Sequence, residues 1–444
     1  METVDEIVAK IEICIAKMQF GLKPQTPAFS SDSKTLRRRL FPVWPILVAS
    51  VFWFSASVLM AEVVVPPYFS AKPGSLAKAK ERLAAGDKDL ARALRKLVAD
   101  ADEALRVQPP SVTEKAKTPP SGDKHDYISL APYFWPDPKA KDGLPYVRND
   151  GHVNPESRDE RANDSPRVAL MGNTIETLSL AYFFTGNEAY ANQAAKIARV
   201  WFLDPATRMN PNFKYAQAVL GVNDGRGTGI LEARHIAIAI DAVKLLTGSK
   251  FWTVDNQLAI NAWGNTFFNW ILTSDAGKDE HASKNNHGTW YDVQTARLAL
   301  CLGHADIARR IVEEAKERRV AIQIEPDGRQ PLELVRTTSF SYSRFNLEAL
   351  CELATLGEYV GVDLWHFKTA DGRCVQKALN FLLPYLENPA KHWPYEQIKD
   401  KHDKGEFMPI LRQAALTYKA PEYEAMIAKN PDAKGKTFQL LFVK

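Results

Sequence analysis

Cysteine is scarce in this chain: four residues in 444, at positions 14, 301, 351 and 374. Cys14 precedes a candidate export segment, so Cys301, Cys351 and Cys374 remain. An odd, scattered set excludes a disulfide scaffold. No Cys-x-x-Cys or Cys/His spacing suggests zinc, and the three read as small buried hydrophobes. Charge of one sign is equally lacking, since 57 Lys and Arg against 53 Asp and Glu leave a formal net charge of +4. That balance tolerates a polyanionic substrate. No basic run with interleaved aromatics exists, which argues against nucleic-acid binding. Strand-type alternation is missing over any length comparable to the helical runs. Hydrophobic residues at 45%, charged at 25% and aromatic at 10% are ordinary globular values and argue against disorder over most of the chain.

One long apolar run stands out, from Leu40 to Met60. Arg37, Arg38 and Arg39 precede it, and Ser55, Ala56, Ser57 and Ala61 lie towards its end, the layout of a secretory signal peptide. The rival is a membrane anchor, because the run is about long enough to span a bilayer; Pro42 and Pro45 interrupt its start. The expectation is an N-terminal extension over 1–33, a signal peptide over 34–61 and a single domain over 62–444. The mature protein is then periplasmic or secreted, without stable membrane association.

What remains is helical in pattern. From Ser75 to Arg106 apolar residues recur at helical spacing, predicting one long helix that ends in the Pro-rich stretch Gln108 to Pro120. Beyond Ala162 the chain repeats an apolar helical run, a short Gly-containing turn and another helical run. The turns fall at Thr185-Gly186, Thr247-Gly248, Leu302-Gly303 and Leu356-Gly357, spaced 62, 55 and 54 residues apart. Helical hairpins of this kind must bury their apolar faces against one another, as an open solenoid or a closed α/α toroid. Four irregular segments lie between them: Asp126 to Arg161, Asn210 to Gly229, Thr273 to Asn286 and Ile324 to Ser343. Segments of that length in a compact domain are more often functional than incidental. A toroid would project them over the mouth of one cavity.

Two clusters in these segments carry the chemistry. Lys284-Asn285-Asn286-His287-Gly288-Thr289-Trp290-Tyr291 sets a neutral amide donor beside an imidazole where a helix resumes; the bland reading has Asn286 capping that helix and His287 packing on it. Arg336 through Asn346 places an arginine and a tyrosine, Tyr342, six residues apart on a polar stretch before the helix Leu347 to Leu356. There the bland reading has Ser343 as a cap and Tyr342 as packing.

Together with Leu130-Ala131-Pro132-Tyr133-Phe134-Trp135-Pro136, Asn210-Pro211-Asn212 and Gly225-Arg226-Gly227, these clusters make the chain resemble the alginate-lyase-type polysaccharide lyases, from about Tyr127 to Tyr385. The resemblance implies an all-α fold, an α/α toroid built as an incomplete barrel of helical hairpins, and β-elimination on an anionic uronate polysaccharide with no cofactor. It implies that Asn286, His287 and Arg336 contact the uronate and that Tyr342 is the catalytic tyrosine. The chemistry agrees, because removing the C5 proton next to a carboxylate requires donors where the extra negative charge develops. A tyrosine base, with an ordinary pKa near ~10, needs positive charge nearby, for which Arg336 is the candidate. His287 is the alternative base for an epimer with its C5 proton on the other face.

One departure bears on the substrate. The segment reads Tyr-Ser-Arg-Phe-Asn-Leu where the best-known branch has Tyr-His-Asn-Tyr-Ala-Leu, so Phe345 stands at that branch's catalytic tyrosine. This implies a divergent branch acting on mannuronate- or glucuronate-type chains, with the hydroxyl supplied one turn earlier by Tyr342. Tyr133, Trp135 and Trp290 are candidates to stack on sugar rings, and Gln217, Glu232 and Arg234, near the Gly-Arg-Gly turn, to line the cleft. Asp279-Glu280-His281 with His287 has no fixed metal-ligand spacing and reads as a solvated loop, so no metal is expected. Two other classes compete with this reading. A toroidal glycoside hydrolase would need a carboxylate pair, from Glu176, Glu232 and Glu333; a noncatalytic glycan-binding helical protein would not need Tyr342 in particular.

Overall fold

The chain from Ser165 onward alternates two kinds of helix, and the difference is legible in which faces are apolar. In the computed structural model, residues 67–387, 392–399, 404–430, 433 and 435–444 are described. The proposed export segment and the extension before it lie outside the described residues. Among those described, no helix is long and apolar enough to cross a membrane. Residues Val65–Lys444 make one compact unit.

Two helices come first, α1 (Ser75–Ala84) and α2 (Lys88–Ala104), where the periodicity predicts one. The break is local. Gly86 turns the chain at φ 84°, and the Asp87 carboxylate caps α2 by accepting from the backbone N–H groups of Asp89 and Leu90, both at 3.0 Å. Then come α3 (Ser165–Thr185), α4 (Glu188–Ala198), α5 (Arg234–Ala242), α6 (Val254–Thr273), α7 (Asp275–Ala282), α8 (Asn286–Leu302), α9 (Ala305–Ala315), α10 (Ser339–Val360), α11 (Val375–Glu387), α12 (Lys404–Tyr418) and α13 (Pro421–Lys429).

Helices α3, α5, α8 and α10 form the inner wall, each packed on the next, while α4, α6 and α9 cover them from outside. Every residue of α8 from Gly288 to Cys301 is buried. In α9 only Ile307, Ala308, Val312 and Ala315 are, a single stripe. A helix buried all round belongs inside and a one-striped helix belongs at the surface, so the sequence sorts its own layers. The result is the α/α toroid. Three of the four predicted turns hold: Gly186, Gly248 and Gly303 take left-handed φ values of 69°, 93° and 87°. The fourth does not, because Gly357 lies inside α10 and the left-handed cap is Gly361 at φ 69°. Gly357 is small for another reason: a Cβ there would press on Val312 and on the carbonyl oxygen of Val362.

Strands are confined to the irregular segments. β1 (Ile128–Leu130) pairs in parallel with β4 (Tyr215–Ala218), and β2 (Phe134–Trp135) pairs antiparallel with β3 (Val147–Arg148), Phe134 opposite Arg148. At the far end of the barrel the first described residues are stitched to the inner helices. The Tyr68 hydroxyl donates to Glu176, and the backbone N–H groups of Phe69 and Ser70 donate to the Asp241 carboxylate at 2.9 and 2.8 Å. Cys301 and Cys351 are buried as expected, whereas Cys374 is half-buried.

Two half-buried histidines, His235 on α5 and His281 on α7, are held neutral. Burial, with Arg318 and Arg319 adding to it, lowers His281 to a pKa of about 4, and burial with Arg234 lowers His235 to about 3. Both lie below the unfolded value of about 6.5. Their contribution to stability is therefore complete above pH ~6.5 and is lost as pH falls towards the folded values. Urea midpoints are expected to fall between pH 6.5 and 4, with a shallower fall in His281→Asn. An unchanged slope in that variant would count against this assignment.

Candidate active site

All four inner helices start at the same end of the barrel, and their first residues surround one cleft of about 540 Å³. Ser165 opens α3, Arg234 opens α5, Asn286 opens α8, and Thr338 with Tyr342 lies at the start of α10. Helix N-termini carry unpaired N–H groups and the positive end of the helix dipole, so this end of the toroid favours an anion. The side chains reinforce it: Arg148, Arg158, Arg226, Arg234, Arg336, Arg344 and Lys399 line the cleft, against one carboxylate, Glu232, among the described lining residues. A chain of near-balanced charge thus concentrates cations where they act.

On α8, the side chain of Asn285 caps the helix by accepting from the His287 backbone N–H at 3.2 Å, so Asn286 is not the cap but the first helical residue. Asn286 is fully buried and donates its backbone N–H and Nδ2 to the two oxygens of Glu333, both at 2.7 Å. Its Oδ1 has no partner among the described residues. His287 sets Nδ1 against Glu280 Oε1 at 2.7 Å, which leaves Nε2 as the ring's other nitrogen. Glu280 is no part of a solvated loop. It lies on α7, fully buried, because the Ser274 hydroxyl caps that helix and Gly277 lets it pack against the end of α6.

Tyr342 is also on a helix, not on a polar loop. α10 begins eight residues earlier than its apolar pattern because a distant segment caps it: the Ser339 N–H donates to the Glu396 carbonyl at 3.1 Å and the Phe340 N–H to Gln397 Oε1 at 3.0 Å. Ser343 is buried inside the helix and caps nothing. The Tyr342 hydroxyl donates to the Tyr133 hydroxyl at 2.8 Å, and the Arg336 guanidinium lies 3.6 Å from the centre of the Tyr342 ring. Burial, and then Tyr133, raise the Tyr342 pKa, while Arg336 opposes them. Arg336 is itself clamped: Nε and Nη2 donate to Asp150 at 2.9 and 2.6 Å, and Arg148 reaches the same carboxylate at 3.0 Å. Burial pushes Asp150 up, but these arginines outweigh it and hold the carboxyl well below its usual range.

Of the remaining candidates, Tyr133, Gln217, Glu232 and Arg234 line the cleft. Glu232 accepts from the hydroxyls of Tyr127 and Ser129, both at 2.7 Å, and burial raises its pKa. The two tryptophans do not line it. Trp290 is buried behind Phe345, ring centres 4.9 Å apart, and Trp135 donates Nε1 to the His152 carbonyl at 2.9 Å. The aromatic side chains that line the cleft are Tyr133, Phe134, Tyr342 and Phe345. Glu333 is committed to Asn286 and Glu176 to Tyr68 at the other end of the barrel, so among the described residues the cleft shows no facing carboxylate pair of the kind glycoside hydrolysis uses.

A helical toroid with a cationic cleft at the inner-helix N-termini, presenting amide, imidazole, guanidinium and phenol, defines a class of enzyme that works on acidic glycans. Comparison with known proteins narrows the class. Residues 111–392 match the family model described as alginate lyase, and the chain belongs to that family and is a polysaccharide lyase. It is similar to the crystal structure of an alginate lyase from Bacteroides ovatus, with 40% identity, a TM-score of 0.80, and 85% of this chain and 100% of that one covered. It also shares its fold with an alginate lyase from Sphingomonas species A1, at 18% identity, TM-score 0.55, covering 86% and 98% of the two chains. A variant of that enzyme complexed with tetrasaccharide matches at 16% identity and TM-score 0.57, covering 86% and 98%. A search of curated protein sequences gave no match.

Proposed function

We propose that the protein cleaves mannuronate- or glucuronate-type polymers by syn β-elimination, with Tyr342 as both base and acid. The observation that carries this is the Tyr342 hydroxyl, 2.8 Å from Tyr133, with Arg336 on its ring face and Asn286 and His287 lining the same cleft. The uronate carboxylate sits against Asn286 and His287, which stabilise the enolate-like charge as it develops. Phenolate at Tyr342 takes the C5 proton, the C4–O bond breaks as the C4–C5 double bond forms, and the phenol returns the proton to the leaving oxygen. Burial and Tyr133 raise its pKa, which makes the phenolate a strong base once formed, and the adjacent Arg336 charge opposes that rise. Because two of the Arg336 donors already hold Asp150, Arg336 acts mainly on Tyr342 and meets the substrate through Nη1.

A second reading has one supporting observation. With Nδ1 on Glu280, His287 can present an unprotonated Nε2 as the base, which suits guluronate, whose C5 proton lies on the opposite face. Export through the Arg37–Met60 segment fits an enzyme acting on polymers outside the cell. Ultraviolet absorbance of unsaturated uronate, followed with polymannuronate, polyguluronate and glucuronan in turn, tests the proposal. A rise on polymannuronate or glucuronan is expected; a rise on polyguluronate alone would move the base to His287.

A further inference from the structure

We propose that Arg226 and Arg148 form a second carboxylate-binding position, which reads the uronate next to the one that loses its C5 proton. This rests on the lyase reading above and deepens it by naming the residues that read the neighbouring uronate.

Arg226 is a half-buried cation without a counter-ion in ion-pair range among the described residues. Its Nε and Nη2 donate to the backbone oxygen and side-chain Oε1 of Gln217, at 3.1 and 3.0 Å, and both acceptors are neutral. Glu280, Glu232 and Asp279 act on it only from further off, and burial together with Arg148 pushes its pKa down. A guanidinium that is desolvated, bound to neutral acceptors and placed beside another cation is stabilised when an anion arrives.

The arrangement is also rigid. A Cβ at Gly225 or at Gly227 would strike the backbone of Lys214 or of Ala276, so the turn carrying Arg226 lies against both segments. Gln217 holds its two acceptors from a left-handed φ of 50°, a conformation that non-glycine residues adopt mainly where the surroundings enforce it. The Arg226 guanidinium lies 5.0 Å from the Phe134 ring centre, and Phe134 pairs across the hairpin with Arg148. Both arginines line the same cleft as Phe134, Tyr133 and Tyr342. Arg148 gives one nitrogen to Asp150 and is otherwise open, its side chain 59% exposed. A ring seated on Phe134 would bring a carboxylate between two guanidiniums, the geometry that favours charge-assisted hydrogen bonds. A neutral sugar there would leave the Arg226 charge uncompensated.

The test is a binding comparison that does not need turnover. Tyr342→Phe protein is titrated calorimetrically with mannuronate and glucuronate tetramers, alone and with Arg226→Gln or Arg148→Gln added. The expected result is a loss of about 10- to 100-fold in affinity for the better-bound tetramer with Arg226→Gln, shrinking at high salt, and a smaller loss with Arg148→Gln. The exposed Arg148 provides a variant with little risk to folding. Equal affinities in all three proteins, or no binding of either tetramer by any of them, overturns the proposal. Failure of the lyase reading looks different: no unsaturated uronate from the unaltered protein, with the binding difference intact.

Discussion

Tyr342→Phe is expected to reduce kcat by about 10⁴-fold, the upper range for a group that serves as general base and general acid, while tetramer binding stays nearly unchanged. The ring remains, so Arg336 keeps its place 3.6 Å from the ring centre; what is lost is the hydroxyl that meets Tyr133. Steady-state rates of unsaturated-uronate formation and calorimetric affinity, measured on the same preparation, separate the two. A hydrolase would keep most of its activity in this variant, and a noncatalytic glycan binder would have none to lose. Retention of more than about a tenth of kcat would remove Tyr342 from the chemistry, because one tenfold step corresponds to only about 1.4 kcal/mol of barrier.

Asn286→Ala should lower kcat by about 10²- to 10³-fold, the scale set by removing one preorganised donor from a developing negative charge. The amide is fully buried, held by Glu333 on one side, and has no freedom to seek another pose. Its loss should fall on kcat more than on KM, since the charge it faces grows only along the reaction. A rise in KM with kcat unchanged would instead mark Asn286 as a uniform binding contact. Glu333 keeps the backbone N–H of residue 286, so the variant is expected to fold.

Much of the toroid is written in local signals. Left-handed glycines at 186, 248 and 303 end their helical runs, and α9 shows its single apolar stripe in its own sequence, whereas α8 is buried all round even though it carries Asp292, Gln294 and Arg297. Asn286, His287, Arg336 and Tyr342 sit in short distinctive stretches, and the fold brings the four to one cleft. What escaped was non-local. The early start of α10 depends on Glu396 and Gln397, more than fifty residues away, and nothing beside Ser339 announces it. Asp150, which clamps Arg336, and Glu280, which orients His287, are single carboxylates whose importance lies in what they meet. The cationic cleft was hidden for the same reason: its arginines are spread from 148 to 344 in a chain of net charge +4, and folding gathers them. The aromatic platforms were misjudged by neighbourhood, since Trp290 lies close to His287 in sequence but packs behind Phe345.

The most direct measurement is the stoichiometry of cleavage, counting C4–C5 double bonds by ultraviolet absorbance against new reducing ends while the purified protein degrades polymannuronate or glucuronan. One double bond per new reducing end is expected if Tyr342 returns the C5 proton to the leaving oxygen. New reducing ends without double bonds would mean that water breaks the bond, and would contradict elimination in this cleft.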